Sequence, residues 1–128
     1  MIGLVLVTHG GLADEFRAAV EHVVGAQTHM ATISIGPDDN MEKRRQDIID
    51  AISAVDDGAG VVLLTDMFGG TPTNLVLPFA GDDVEVVTGV NLPMLIKACQ
   101  IRTRPLAEVA RIVCEKGRES VQIAGEPI

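Results

Sequence analysis

Val61-Val62-Leu63-Leu64-Thr65-Asp66-Met67-Phe68-Gly69-Gly70-Thr71-Pro72-Thr73-Asn74 is the stretch on which the fold turns. Its opening apolar run, Val61 to Leu64, reads as a strand buried on both faces. Asp66 stands where that strand should end. Gly69-Gly70 supplies a flexible turn, and Thr71-Pro72 reads as an N-cap followed by proline in the first helical position. A carboxylate and unpaired helical N–H groups thus meet at one end of a strand, an arrangement suited to an anion.

Working outward, Ile2 to Val7 is a second continuous apolar run and ends at Thr8-His9-Gly10-Gly11. His9 therefore also lies at the carboxyl end of a strand, before a glycine-assisted turn. Leu12, Phe16, Val20 and Val23 recur at helical spacing after it, with Gly25 as the stop. Ala31 to Ile35 alternates as a strand less buried on one face, and Asp39 with Glu42 resembles a capping box ahead of Ile48, Ile49, Ile52 and Val55. Beyond the Thr71 helix come a strand over Asp83–Val87, a helix opened by Asn91-Leu92-Pro93, and another opened by Arg104-Pro105. Glu119 to Ala124 reads as a last edge strand.

Alternating strands and helices predict an α/β, doubly wound, mostly parallel sheet. The continuously apolar strands one and three belong in the centre, and right-handed crossovers then give the order 2-1-3-4. The carboxyl ends of strands one and three form the topological switch point, where open α/β sheets place their ligands. His9 and Asp66 flank it.

Composition bounds the function. The 128 residues suit one domain over 1–128, and the formal charge of −8 argues against nucleic acid and anionic membranes as partners. No apolar run approaches a membrane span, and the short N-terminal run has no basic leader, so neither insertion nor export is expected. Cys99 and Cys114 have no metal-like spacing and are expected to be reduced, as in a cytoplasmic protein. No metal site is expected, because His9 and Asp66 would need a third ligand. No Walker loop or Gly-x-Gly-x-x-Gly follows a strand, so no nucleotide cofactor is expected.

The chemistry left is that of an imidazole held by a carboxylate. If Asp66 accepts a hydrogen bond from one ring nitrogen of His9, the tautomer is fixed and the other nitrogen becomes a nucleophile. A phosphoryl group there would meet N–H groups after Gly10 and Thr71 and the Thr71 hydroxyl, so Gly10, Thr71 and Thr73 are the candidate phosphate-binding residues. Taken singly, a histidine at a strand end is most often solvated, and an aspartate before a glycine turn is most often a turn former. Their coincidence at one switch point favours a functional pair. His22 and His29 read as solvated.

At Val7-Thr8-His9-Gly10, Asp66 to Asn74, and Gly89 to Leu95 the chain resembles the enzyme IIA domain of the mannose family of the phosphoenolpyruvate-dependent phosphotransferase system (PTS). The resemblance spans nearly the whole chain. It implies a phosphotransferase in which His9 accepts a phosphoryl group from the phosphocarrier protein HPr, with Asp66 as its hydrogen-bond partner and Thr71 near the phosphate. The downstream acceptor would be a IIB-type protein, or the phosphate would serve as a regulatory signal. The family also implies a homodimer and a final strand lying antiparallel on the sheet edge, which Glu119 to Ala124 would supply. Sugar-transporting relatives often carry a fused IIB domain and a tryptophan where Phe68 stands; here a single IIA unit is expected. Two alternatives stand beside this reading. One is the phosphoryl-donor subunit of dihydroxyacetone kinase, which shares the fold and the histidine. The other is a non-catalytic module that binds an anion or a partner.

Overall fold

The computed structural model describes residues 1–126. Its elements are β1 (Gly3–His9), α1 (Leu12–Val24), β2 (Met30–Ile35), α2 (Met41–Val55), β3 (Val61–Thr65), α3 (Thr71–Val76), a 3₁₀ turn (Leu77–Phe79), β4 (Val84–Thr88), α4 (Leu92–Gln100) and α5 (Leu106–Glu119). The sheet has the order β2-β1-β3-β4, and each pairing is parallel. Leu4 to Val7 and Val61 to Leu64 are fully buried because these two strands carry helices on both faces.

Alternation along the strands divides the core. Leu4, Leu6, Val62 and Leu64 pack with Val20, Leu95, Val109 and Val113 from α1, α4 and α5. Val5, Val7, Val61 and Leu63 pack with Ile48, Val55 and Val76 from α2 and α3 on the opposite face. Each fully buried aliphatic side chain is worth about 1.5–3 kcal/mol relative to exposure, so these paired runs dominate the stability of the sheet.

One expectation is overturned. The sheet has no antiparallel edge strand at Glu119–Ala124. Helix α5 continues through Glu119, and Ser120 closes it, its N–H and hydroxyl both donating to the Lys116 carbonyl. A turn with Glu126 N–H donating to Ile123 O follows directly. Too little extended chain remains between cap and turn to build a ladder. The antiparallel contact among the described residues is an isolated bridge, Gly81 to Val84, inside the turn before β4.

Two local readings also shift. In α1, Ala13 and Val20 are buried while Leu12 and Val23 are 47% and 56% exposed, so the inward stripe is displaced from the most hydrophobic residues. In α2 the N-cap is Asn40, whose side chain accepts from Lys43 N–H, and Asp39 instead accepts from Gly36 N–H.

Candidate functional site

Register places the site. β1 and β3 are hydrogen-bonded neighbours, with Val7 opposite Thr65, so His9, two residues past Val7, and Asp66, directly after Thr65, leave the sheet at the same end. His9 Nδ1 lies 2.8 Å from Asp66 Oδ2. An ionised carboxylate only accepts, so Nδ1 carries the proton and Nε2 holds the lone pair. The same Oδ2 accepts from His9 N–H at 3.1 Å, and Oδ1 accepts from Met67 N–H at 3.1 Å. Burial pushes the Asp66 carboxyl upward, but the His9 ring and backbone N–H donors together outweigh it and hold its pKa below the usual value. The Asp66 side chain is 13% exposed and that of His9 is 46% exposed, so the carboxylate is shielded while the ring is open to a partner.

The turn into α1 is braced from inside. Buried Thr8 accepts the Ala13 N–H on Oγ1 at 2.8 Å, satisfying one of the helix's unpaired donors. Gly10 adopts φ +50, a left-handed conformation that glycine takes without a steric penalty. Its N–H donates to the Ile35 carbonyl at 2.9 Å, so this group is engaged with the protein backbone.

Thr71 and Thr73 sit in different environments. The N-cap of α3 is Gly70, not Thr71, and Thr71 is the first helical residue. Its exposed side chain joins His9, Gly10, Ile35, Pro37, Asp39 and Met41 around a cleft of 460 Å³. Thr73 is fully buried: its hydroxyl donates to the Met67 carbonyl at 2.5 Å and accepts from Thr65 Oγ1 at 2.7 Å. Its side chain fixes the turn that carries Asp66, and Thr71 is the threonine whose side chain faces the cleft.

Gly70 is the residue whose role the sequence did not disclose. A Cβ there would lie 2.8 Å from His9 Cε1 and 3.2 Å from Nε2. Its φ of −89 is open to any residue, so the close approach of the imidazole, and not the backbone angle, calls for glycine.

The other reactive groups stand apart. Among the described residues no cluster of three or more His, Cys, Asp or Glu is arranged to hold a metal. Cys99 and Cys114 are free, and burial pushes the Cys99 thiol upward, away from the reactive thiolate. No helix of the described residues is long and apolar enough to cross a membrane. The arrangement therefore offers one exposed nucleophilic nitrogen, oriented by a shielded carboxylate, at the mouth of a cleft.

Comparison with known proteins gives the family. The sequence profile of the family described as EIIA-man, PTS system fructose IIA component, matches residues 3–113. The PTS system mannose-specific EIIAB component of Escherichia coli K12 is 30% identical over 125 residues, spanning 94% of this chain and 39% of that protein. This chain thus covers well under half the length of that relative. The PTS system sorbose-specific EIIA component of Lacticaseibacillus casei is 34% identical over 100 residues, covering 73% of this chain and 69% of the relative. Among solved structures, the mannose/sorbose specific IIA subunit of the phosphotransferase system from Enterococcus faecalis superposes with a TM-score of 0.86 at 25% identity, covering 99% and 97% of the two chains.

Proposed function

The chain belongs to the EIIA-man family of PTS IIA components, and from that premise we propose that His9 Nε2 is the atom that carries the phosphoryl group. As a IIA component it is a phosphotransferase, a carrier between a donor and an acceptor. The observation that supports His9 is the 2.8 Å contact of its Nδ1 with a shielded carboxylate, which leaves Nε2 as the exposed lone pair.

In this reading the donor is phospho-HPr. The Nε2 lone pair attacks phosphorus, the bond from phosphorus to the donor atom breaks, and the donor keeps that electron pair. The ring retains its proton on Nδ1 and gains positive charge, which Asp66 stabilises across the hydrogen bond. In this reading the Thr71 hydroxyl, at the cleft beside His9, donates to a phosphoryl oxygen. Transfer onward reverses the step, to a IIB-type acceptor or as a regulatory mark. Residues 1–128 form, in this reading, one IIA unit that works in the cytoplasm. No observation on this chain favours the dihydroxyacetone kinase subunit or the non-catalytic module.

We also propose a homodimer formed along β4. The outer edge of β4 pairs with no strand among the described residues, and a groove of 420 Å³ there is lined by Val86, Thr88, Met94 and Val121. Val121 and Ile123 beside it are 78% and 68% exposed, apolar area that a second copy would cover. Light scattering should return twice the 13.5 kDa chain mass, and a concentration-independent monomer refutes the dimer.

The test of the carrier reading uses phosphoenolpyruvate, enzyme I and HPr. Wild-type protein should gain one acid-labile, base-stable phosphoryl group, and His9→Ala should gain none. Equal labelling of His9→Ala overturns the assignment.

A further inference from the structure

One wall of the cleft beside His9 is the β2–α2 connection, with Ile35, Gly36, Pro37, Asp39 and Met41 lining it. A carboxylate in a cleft that receives a phosphoryl dianion is a liability, because like charges at short range repel. Asp39 is nonetheless held there by two contacts. Its Oδ2 accepts the Gly36 N–H at 2.8 Å and lies 3.3 Å from Arg44 Nε. Arg44 Nη1 in turn donates to Asp47 Oδ2 at 2.6 Å. The Nε atom is buried without an aligned hydrogen bond, so its relation to Asp39 is ionic in character.

These contacts reach the reactive histidine through the backbone. Gly36 follows Ile35, whose carbonyl accepts the N–H of Gly10 at 2.9 Å, immediately after His9. The Asp39 and Arg44 side chains are 30% and 24% exposed, so the pair is partly shielded and less screened than a surface ion pair.

We propose that Arg44 is a positioning residue for phosphoryl transfer: it masks the charge of Asp39, so that the carboxylate can pin Gly36 without repelling the incoming phosphoryl group. This rests on the reading of His9 as the phosphoryl acceptor. Asp39 supplies the hydrogen-bond acceptor that holds the wall, and Arg44 cancels the electrostatic cost of putting it there. A merely structural role for the pair makes the opposite prediction for a double substitution, in which both partners lose their charge but the Gly36 contact survives through an amide oxygen.

The experiment measures kcat/KM for labelling by phospho-HPr in wild type, Arg44→Gln, Arg44→Lys, Asp39→Asn and Arg44→Gln/Asp39→Asn, at low and high salt. Arg44→Gln should be slower by roughly fivefold at low salt, the scale of one added charge near an exposed site. Its ratio to wild type should approach one at ~0.5 M salt, where screening acts within a few ångströms. Arg44→Lys and the double variant should stay within about twofold of wild type, and Asp39→Asn alone should be as fast as wild type or faster. Arg44→Gln at wild-type rate, a double variant as slow as Arg44→Gln, or a defect indifferent to salt overturns the proposal. If Arg44→Gln does not fold, Asp39→Asn decides: a clear slowing refutes charge masking. Failure of wild type to label at His9 would instead overturn the carrier reading itself, so the two failures are distinct.

Discussion

Gly70 and His9 are in contact so close that no side chain fits between them: a Cβ on Gly70 would stand 2.8 Å from the imidazole Cε1. The ring is therefore held from two directions. Asp66 fixes Nδ1 through a hydrogen bond, and the backbone at Gly70 limits how far the other edge can swing. On the proposed carrier reading, a ring restrained in this way would surrender its rotational freedom before the donor arrives, lowering the entropy cost of transfer.

Gly70→Ala should separate positioning from folding. At φ −89 and ψ 172 alanine is unstrained, and the lost backbone freedom of the unfolded chain favours it by about 0.4–1 kcal/mol. The ring, however, must move by several tenths of an ångström and loosen its bond to Asp66. We expect transfer from phospho-HPr to slow by about tenfold, equivalent to about 1.4 kcal/mol, with the melting temperature unchanged or slightly raised. Wild-type transfer in a folded Gly70→Ala protein would show that the ring has room to yield.

Asp66→Asn tests whether the carboxylate is chemical or only a turn former. Asparagine can occupy the turn, so the fold should survive. It removes the charge that stabilises the ring when phosphorus bonds to Nε2, an interaction worth ~1–3 kcal/mol in a partly shielded pair. Single-turnover phosphorylation should slow by roughly one to two decades, with circular dichroism unchanged. An unchanged rate would reduce Asp66 to a structural residue.

The pairing of His9 with Asp66 was legible in the sequence because two continuous apolar runs mark β1 and β3 as central, and central neighbours bring their carboxyl ends together. What stayed hidden depended on contacts with no local pattern. Val121-Gln122-Ile123 looks like strand by composition, but the cap at Ser120 and the turn at Glu126 leave too short an extended run between them to pair with the open edge of β4. Asp39 and Asn40 are both good caps, and only the position of Gly36 decides which one serves α2. The proximity of Gly70 to an imidazole far away in sequence leaves no local trace, nor does the role of Arg102. That guanidinium is buried and bonds to backbone carbonyls of residues from 73 to 100 positions earlier.

Arg102→Ala should damage stability and spare chemistry. The side chain is 5% exposed and donates to the carbonyls of Ile2, Thr28 and His29 and to Gln27 Oε1, holding the loop before β2 against the start of β1. Removing charge-assisted bonds and leaving buried carbonyls unmatched costs about 3 kcal/mol. The residue braces the amino end of the sheet, and the seven residues of β1 place His9 about 20 Å away. Urea unfolding should show the loss, while kcat/KM of the folded fraction should match wild type. An unchanged midpoint would mean that water replaces the guanidinium without penalty.

Acid should expose the Asp66 pair as a stability element with a defined sign. The carboxyl ionises near its ordinary value of 3.8 when unfolded, and below that value when folded, because the His9 ring and backbone N–H donate to it. In the window between the two values the unfolded chain binds more protons than the folded one, so stability rises with pH there. The contribution is complete above about pH 5 and is lost as pH falls through the folded value. Asp66→Asn cannot titrate at this position, so the difference in unfolding free energy between wild type and this variant should shrink as pH falls below about 4. His9→Ala supplies the second arm: it removes the ring, so the folded carboxyl lies closer to its unfolded value and the stability lost on acidification should be smaller than in wild type. Urea midpoints across pH 3–7 for the three proteins make the comparison. A wild-type advantage that grows as pH falls below about 4 would reverse the sign and show that Asp66 is not held ionised by its donors.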